Sequence, residues 1–407
     1  MAEAGVLPLA EGPAAAAASI PVGVPIAVAV PESLGPLSSR GFPLGLCRCL
    51  LDAAEHFAVR LWIVDNSGSM HCADGQRVVC DSEGRTDTMS ATRWSELSHE
   101  VCDMAELSVA LGARSDFQLI NPHHEGQFLS VGSSRAADPQ VELIGTECTL
   151  DEFHRVIRSV SPSGSTPLTE SLERVEAQLL PVAAELRARG QQAVIVLATD
   201  GLPNDPSSFL AALHRVQQLP VWLVLRLCTD EQPVVDFWSE VEAALEAPLE
   251  VLDDLRHEAR EVARHNAWLA YGLPLHHARL FGLRDKTFDL LDERPLMPSQ
   301  LRQLCELLLG CPPLADPQTD FAAFVSQLRR ALDVAHPVYD VLSAAYRPWI
   351  DADMVEWNYS PANLPRTLSV LRQSQSSMRP RTNSASTDSS SMLHKRRRSR
   401  STLCVIA

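Results

Sequence analysis

Residues 61–70 read LWIVDNSGSM, an apolar run that stops at an acid and continues with a hydroxyl at every second position. Four consecutive large apolar residues fit a central strand covered on both sides. In open α/β sheets ligands bind outside the carboxyl ends of the strands, so Asp65, Ser67 and Ser69 are expected at such an edge. Their spacing suits coordination. A small hard cation such as Mg²⁺ takes six oxygens octahedrally and keeps some of its waters. Two alternate hydroxyls can face one metal from a single turn, with Asp65 supplying charge directly or through a water. A metal held by so few anions stays electrophilic toward an external carboxylate.

The pentapeptide alone also fits a polar strand-to-helix loop. Two further stretches shift the balance. Residues 161–175, SPSGSTPLTESLERV, form a Gly/Ser loop ending in Thr166 and Pro167 ahead of an amphipathic helix. Residues 193–204, AVIVLATDGLPN, are a second buried strand ending in Asp200-Gly201. In this order the three pieces resemble the von Willebrand factor A (VWA) domain and its metal-ion-dependent adhesion site. The resemblance spans about half the chain and implies a first loop of Asp65, Ser67 and Ser69, a second with Thr166 and a third with Asp200. It further implies a bound Mg²⁺ or Mn²⁺ whose coordination an acidic side chain of a partner protein completes, with Thr166 and Asp200 exchanging direct and water-mediated contact as the site opens. The chain departs from the family pattern after Met70, where residues 73–92, rich in Asp, Gly, Ser and Thr, precede the first helix. That insert is compatible with a gate, a specificity element or a mobile loop.

The periodicity around these loops predicts an α/β, doubly wound, mostly parallel sheet with one antiparallel edge strand. A short helix at 46–57 leads into the first strand. Residues 93–111 place Trp94, Leu97, Val101, Met104, Ala105 and Leu111 on one helical face, with Ser108 as the polar interruption. Strands at 117–121 and 127–131 form a hairpin across PHHEG. Helices follow at 149–160 and at 167–189, the latter interrupted at Pro181 and stopped by Gly190. Strands at 194–198, 221–227 and 249–252 alternate with helices at 207–218, 234–245 and 253–268.

The resulting domain organisation is an Ala/Pro-rich disordered arm at 1–42, a VWA domain at 43–271, a small helical extension at 272–358 and a disordered Ser/Arg-rich tail at 359–407. In the extension, helices are expected at 299–309, capped by Ser299 and stopped by Gly310, at 320–335, and at 337–346.

Charge divides the chain. The net charge of −16 combines a tail with nine basic residues and one acid with a strongly acidic body, so nucleic acid is not an expected partner of the body while the tail seeks anionic surfaces. Lys286 and Lys395 are the only lysines and no Gly-Lys-Ser/Thr occurs, which excludes a phosphate-cradling P-loop. The ten cysteines follow no repeating framework, and no basic residue precedes Arg40. These features argue for reduced thiols and against secretory or transit peptides. Pro21 and Pro25 interrupt the apolar stretch at 14–30, so no clean run of spanning length exists.

The last four residues, Cys404-Val405-Ile406-Ala407, match a Cys-aliphatic-aliphatic-X prenylation box. Immediately upstream lie Lys395, Arg396, Arg397, Arg398 and Arg400. One prenyl chain binds a membrane reversibly, and the basic run supplies the second signal at about 1 kcal/mol per residue near an anionic leaflet. The expected location is the cytoplasmic face of a membrane, with nuclear import by the same Arg-rich run as the alternative. Phosphorylation of Ser399 and Ser401 would oppose attachment.

Other constellations are set aside. His123-His124 and His276-His277 are expected to be exposed or capping, Asp253-Asp254 to be a solvated acidic turn, and neither zincin spacing nor a Cys-x-x-Cys pair occurs. The expectation is a non-enzymatic, metal-dependent protein-interaction module. The alternative is a hydrolase or phosphoryl-transfer enzyme using the metal as Lewis acid.

Overall fold

The computed structural model describes residues 35–80, 85–133, 139, 141, 145–245 and 249–363. Cys404, Lys395, Arg396, Arg397, Arg398, Arg400, Ser399 and Ser401 lie outside them, as does most of the arm at 1–42.

Helices α1 (Gly35–Ser38) and α2 (Leu44–His56) lead into β1 (Phe57–Val64). A hairpin of β2 (Gly75–Cys80) and β3 (Thr86–Ala91) follows, then α3 (Arg93–Ala110), β4 (Ser115–Leu119), β5 (Phe128–Val131) and β6 (Thr146–Glu147). Next come α4 (Leu150–Ser159), α5 (Leu168–Leu179), α6 (Ala183–Arg189), β7 (Gln192–Thr199), α7 (Pro206–Gln217), β8 (Val221–Leu227), α8 (Gln232–Ala244), β9 (Leu249–Leu252) and α9 (Leu255–Asn266). The described chain ends with α10 (Leu273–Gly282), α11 (Lys286–Glu293), α12 (Pro298–Leu309), α13 (Phe321–Leu332), the hairpin β10 (Val338–Asp340) and β11 (Ala345–Arg347), and α14 (Ala352–Tyr359).

The central sheet has seven strands in the order β6-β5-β4-β1-β7-β8-β9. It is parallel except where β5 turns back along β4, Phe117 facing Leu129; β6 then runs parallel to β5 as a two-residue outermost strand. This is the doubly wound α/β architecture expected from the alternation of strands and helices.

Every residue of β1 is buried, because both faces of the sheet are covered. Trp62 and Val64 enter one core with Val194, Val196 and Ala198 of β7. Leu61 and Ile63 enter the other with Ala193, Ile195 and Leu197. Strand period alone assigns the two sets to opposite faces. Helices α5, α6, α7 and α8 cover the second face through Leu172, Leu186, Phe209 and Trp238. The first is covered by α2, α3, α4 and α9, together with α10 and α12 of the extension.

The extension therefore shares a core with the sheet. Arg60 of β1 is buried, donates from Nε to the Phe281 carbonyl at 3.0 Å and from Nη2 to the Ala53 carbonyl at 3.1 Å, and stacks 3.5 Å from the Phe281 ring centre. Backbones approach closely at Gly45, where an added Cβ would lie 2.1 Å from the Leu307 carbonyl oxygen, so only glycine lets α2 and α12 pack at that distance.

Several local expectations need correction. Residues 337–346 form the β10–β11 hairpin rather than a helix, Tyr339 pairing with Tyr346. Asp340 closes its turn by accepting from Leu342 N, Ser343 Oγ and Arg347 Nη1, and such local bonds compete with helix. The N-cap of α12 is Met297, with Pro298 rather than Ser299 opening the helix. His276 and His277 are buried on α10; His276 bonds Glu100 at 3.1 Å and Tyr271 at 3.2 Å. Asp254 is a half-buried N-cap of α9, accepting from Arg256 N and His257 N, rather than part of a freely solvated turn. Among the described residues no helix is long and apolar enough to cross a membrane.

Candidate metal centre

The first loop leaves β1 at Asp65, whose backbone N–H donates to the Ala198 carbonyl of β7. Its carboxylate is fully buried and both oxygens are occupied: Oδ1 accepts from Ser67 N at 2.8 Å and Oδ2 from Thr199 Oγ1 at 2.6 Å. These bonds turn the chain sharply after the strand, and residues 68–71 continue as a single 3₁₀ turn. Ser67 Oγ and Ser69 Oγ come 3.1 Å apart, and Ser69 Oγ donates to Asp200 Oδ1 at 2.8 Å. Asp65, Ser67, Ser69 and Asp200 thus meet at the carboxyl ends of β1 and β7.

Thr166 stands across from Asp200. A Cβ placed on Gly201 would be 3.7 Å from Thr166 Oγ1, and the Asn204 side chain accepts from Thr166 N at 3.3 Å. The second loop is pinned to the first by Ser163 N on the Asn66 carbonyl and by Gly68 N on the Gly164 carbonyl. Asn66 and Asn121 complete the brace: Asn66 Oδ1 accepts from Asn121 N at 2.8 Å, and Asn121 Nδ2 donates to the Ser165 carbonyl at 2.8 Å. Gly164 has φ +89°, and a Cβ there would fall 2.6 Å from Asn121 Oδ1.

The loops also carry a buried ion pair that the spacing of their polar residues does not announce. Arg93, the first residue of α3, is 3% exposed and donates from Nη1 to Asp200 Oδ2 at 2.9 Å. Its remaining nitrogens engage Asp74 at 2.8 and 2.6 Å and Glu231 at 2.8 Å. Burial alone would lower its pKa, but the bonds to Asp74, Glu231 and Asp200 outweigh burial and raise it. The available signal was an arginine directly after the N-cap Thr92, where the helix dipole disfavours a cation. Such a placement implies a carboxylate partner.

The insert at 73–92 is tied to this cluster through Asp74. Its described part is the β2–β3 hairpin, which leans on α3 and α9: Gln76 N donates to Glu96 Oε2 at 2.7 Å, and Arg256 Nη1 to Gln76 Oε1 at 3.2 Å. Its far end reaches the extension, Thr86 Oγ1 bonding Tyr346 Oη at 2.8 Å.

The donors suit a hard divalent cation. Two carboxylates and three hydroxyls form an all-oxygen set, the preference of Mg²⁺ and Mn²⁺; among the described residues no group of three or more His, Cys, Asp or Glu side chains is arranged to hold a metal ion. Burial, followed by the charge of Asp200, pushes the Asp65 carboxyl up against the pull of its hydrogen bonds. Of the two buried acids only Asp200 meets a guanidinium, so negative charge is left for a cation to offset. Gly68, Ser69 and Ser163–Ser165 are solvent-exposed, and Leu202, two residues after Asp200, is 40% exposed.

No family model and no curated protein matches the chain. Solved structures with some likeness include the manganese-loaded TRAP protein of Plasmodium vivax, 14% identical over 49% of this chain and 69% of that one, TM-score 0.30. Others are a von Willebrand factor type A protein from Catenulispora acidiphila, 13% identical over 58% of this chain and 42% of that one, TM-score 0.30, and proximal thread matrix protein 1 of the mussel byssus, 13% identical over 48% and 43%, TM-score 0.30. Likenesses at this level carry no weight for function, which is read instead from the three loops.

Proposed function

We propose that this chain is a VWA-type protein-interaction module in which Asp65, Ser67, Ser69, Thr166 and Asp200 hold Mg²⁺ or Mn²⁺ and a partner protein supplies a carboxylate. The observation that supports this most is the meeting of the first and third loops on one set of oxygens, with Ser69 Oγ 3.1 Å from Ser67 Oγ and 2.8 Å from Asp200 Oδ1, while Thr166 of the second loop faces Gly201. When bound, the metal supplies a Lewis-acidic point that prefers an anionic oxygen. The protein's own groups do the rest. Thr199 and the Ser67 backbone orient Asp65, Asn66 and Asn121 position the Thr166 loop, and Arg93 fixes Asp200 while neutralising part of its charge. Exposed Leu202 offers apolar contact to a partner seated over the loops. On the sequence reading, prenylated Cys404 and the run at 395–400 hold the module at the cytoplasmic face of a membrane.

The test is Mn²⁺ binding to the full-length chain by electron paramagnetic resonance. Binding of one ion, weakened at least about ten-fold by Ser69→Ala and abolished by Asp65→Asn with unchanged circular dichroism, is the expected result. Undiminished Mn²⁺ affinity in Asp65→Asn overturns the assignment. Metal-dependent turnover of a phosphate ester would instead establish the hydrolase alternative.

A further inference from the structure

A second feature lies away from the metal loops, at the β9 end of the sheet. There α8 on one side and α9 and α11 on the other leave a groove of about 810 Å³. Its floor is Glu250 of β9, which is 8% exposed. Glu250 Oε1 accepts from Arg279 Nε at 2.9 Å, but its Oε2 is buried without any hydrogen-bond partner. Arg279 is shared further, with Glu258 at 2.6 Å and Asp292 at 2.9 Å, so one guanidinium answers three carboxylates. Glu242, Asp253, Asp289 and Glu293 also line the groove, and among the described residues none of the four forms an ion pair. Partial burial first, and then neighbouring carboxylates, raise Glu242 and Glu293: Asp292 acts on both, on Glu242 from across the groove, and Glu242 is among the charges acting on Glu293. A groove in this condition calls for added positive charge.

The same chain carries that charge. Residues 395–400, KRRRSR, are its densest basic run. The last described helix is tied to the segment that follows α11, one wall of the groove: Tyr359 Oη donates to the Leu296 carbonyl at 2.9 Å. The stretch between residues 363 and 395 reaches about 100 Å when extended, against about 50 Å across a domain of this size, so length imposes no barrier. Tethering supplies a high effective concentration without further affinity.

We propose that the groove between α8 and α11 docks the basic run 395–400 of the same chain, so that the groove and an anionic membrane compete for one segment. Arginine forks suit carboxylates that lack partners, and Glu242 and Glu293 present such groups on opposite walls of the groove. Docking depends on neither the metal centre nor the prenyl group. It makes the tail's membrane affinity a property of the folded body as well as of the tail.

The chain's lysine content makes the test specific. Lys395 is the only lysine of the tail, and Lys286 lies within the groove. Full-length protein without lipid is treated with a water-soluble carbodiimide, which joins an amine to a carboxylate in contact, and mapped by mass spectrometry. The expected result is Lys395 joined to groove carboxylates within single chains, lost at high salt and in Glu242→Gln/Glu293→Gln, two exposed positions on opposite walls. Crosslinks of Lys286 serve as the control for an intact fold. In parallel, the Glu242→Gln/Glu293→Gln protein should bind phosphatidylcholine vesicles carrying phosphatidylserine about five-fold more tightly than wild type, the effect of losing two screened ion pairs. A charge-matched control, Asp151→Asn/Glu170→Gln, should leave binding unchanged. Lys395 crosslinks that spread evenly over the acidic surface, or that occur only in covalent dimers, overturn the proposal. Vesicle affinity that is equal in the groove variant and wild type also overturns it.

Discussion

The Arg93 guanidinium and the Asp200 carboxylate form a buried ion pair at 2.9 Å, with side chains 3% and 0% exposed. It joins the helix that follows the insert to the third site loop. Through Arg93, Asp200 is thereby coupled to α3 and, by way of Asp74, to the segment that opens the β2–β3 hairpin.

Removing one partner of such a pair strands the other. Arg93→Met is expected to lower stability by about 3–5 kcal/mol, read as the urea midpoint at constant slope. The contacts with Asp74 and Glu231 add little, since those acids are 47% and 57% exposed and screened. Saturating Mg²⁺ should restore more stability in this variant than in wild type, because a bound dication substitutes for the missing charge on Asp200. Equal Mg²⁺ stabilisation in the two proteins would separate the ion pair from the metal.

The second loop depends on one backbone conformation. Gly164 has positive φ and no room for a Cβ beside Asn121, so Gly164→Ala should cost at least about 1–2 kcal/mol. Because the strain falls on the loop that carries Thr166, Mn²⁺ affinity should fall further than global stability does. Gly112→Ala, at φ +58° with nothing near its Cβ, is the control for strain without displacement and should leave Mn²⁺ binding intact.

Acidic stability should show two opposed windows. Burial, with Asp289 and Asp292 adding and Arg279 opposing, raises Glu250 from 4.5 to about 7. Its folded form holds the proton more tightly than the unfolded chain does, so its contribution is fully present below about pH 4.5 and is lost as pH rises through about 7. Glu258 shifts in the same direction. Glu100 does the reverse: burial opposes ionisation, but Arg226 and His276 outweigh it and hold the carboxyl at about 2. Its contribution is present above about pH 4.5 and disappears as pH falls through about 2. Glu250→Gln should flatten the decline between pH 5 and 7 in chemical denaturation, and an unchanged slope would refute the assignment.

The buried pairs of Arg226 offer a cycle. Its guanidinium, 1% exposed, meets Glu96 at 2.6 Å and Glu100 at 2.9 Å. Arg226→Met alone should cost about 3–5 kcal/mol, whereas Arg226→Met/Glu100→Leu should recover part of that loss because no uncompensated charge remains at Glu100. Additive losses in thermal or urea unfolding would contradict the buried pairing.

Much of the architecture was legible from local pattern. The runs at 221–227 and 249–252 coincide with β8 and β9, and the Pro181 interruption and Gly190 stop fall where α5 ends and α6 terminates. Thr149 and Glu152 cap α4 reciprocally. These are near-neighbour effects, decided within one or two turns of chain. The turn after β1 was legible for a related reason: Asp65, Ser67 and Ser69 lie within five residues, and the bond from Ser67 N to Asp65 Oδ1 that shapes it is local.

What the sequence determined by itself is thus the alternation of elements and the polar residue types carried by each loop. Tertiary structure alone decided which distant charges meet. Arg93 and Asp200 are 107 positions apart, Glu100 and His276 are 176 apart, and Arg60 of β1 meets the Phe281 carbonyl 221 positions away. The reason is physical. Hydrophobic period and capping are written every few residues, whereas the partner of a buried charge is chosen by the packing of whole elements, which brings together carboxylates and guanidiniums whose positions along the chain hold no common pattern.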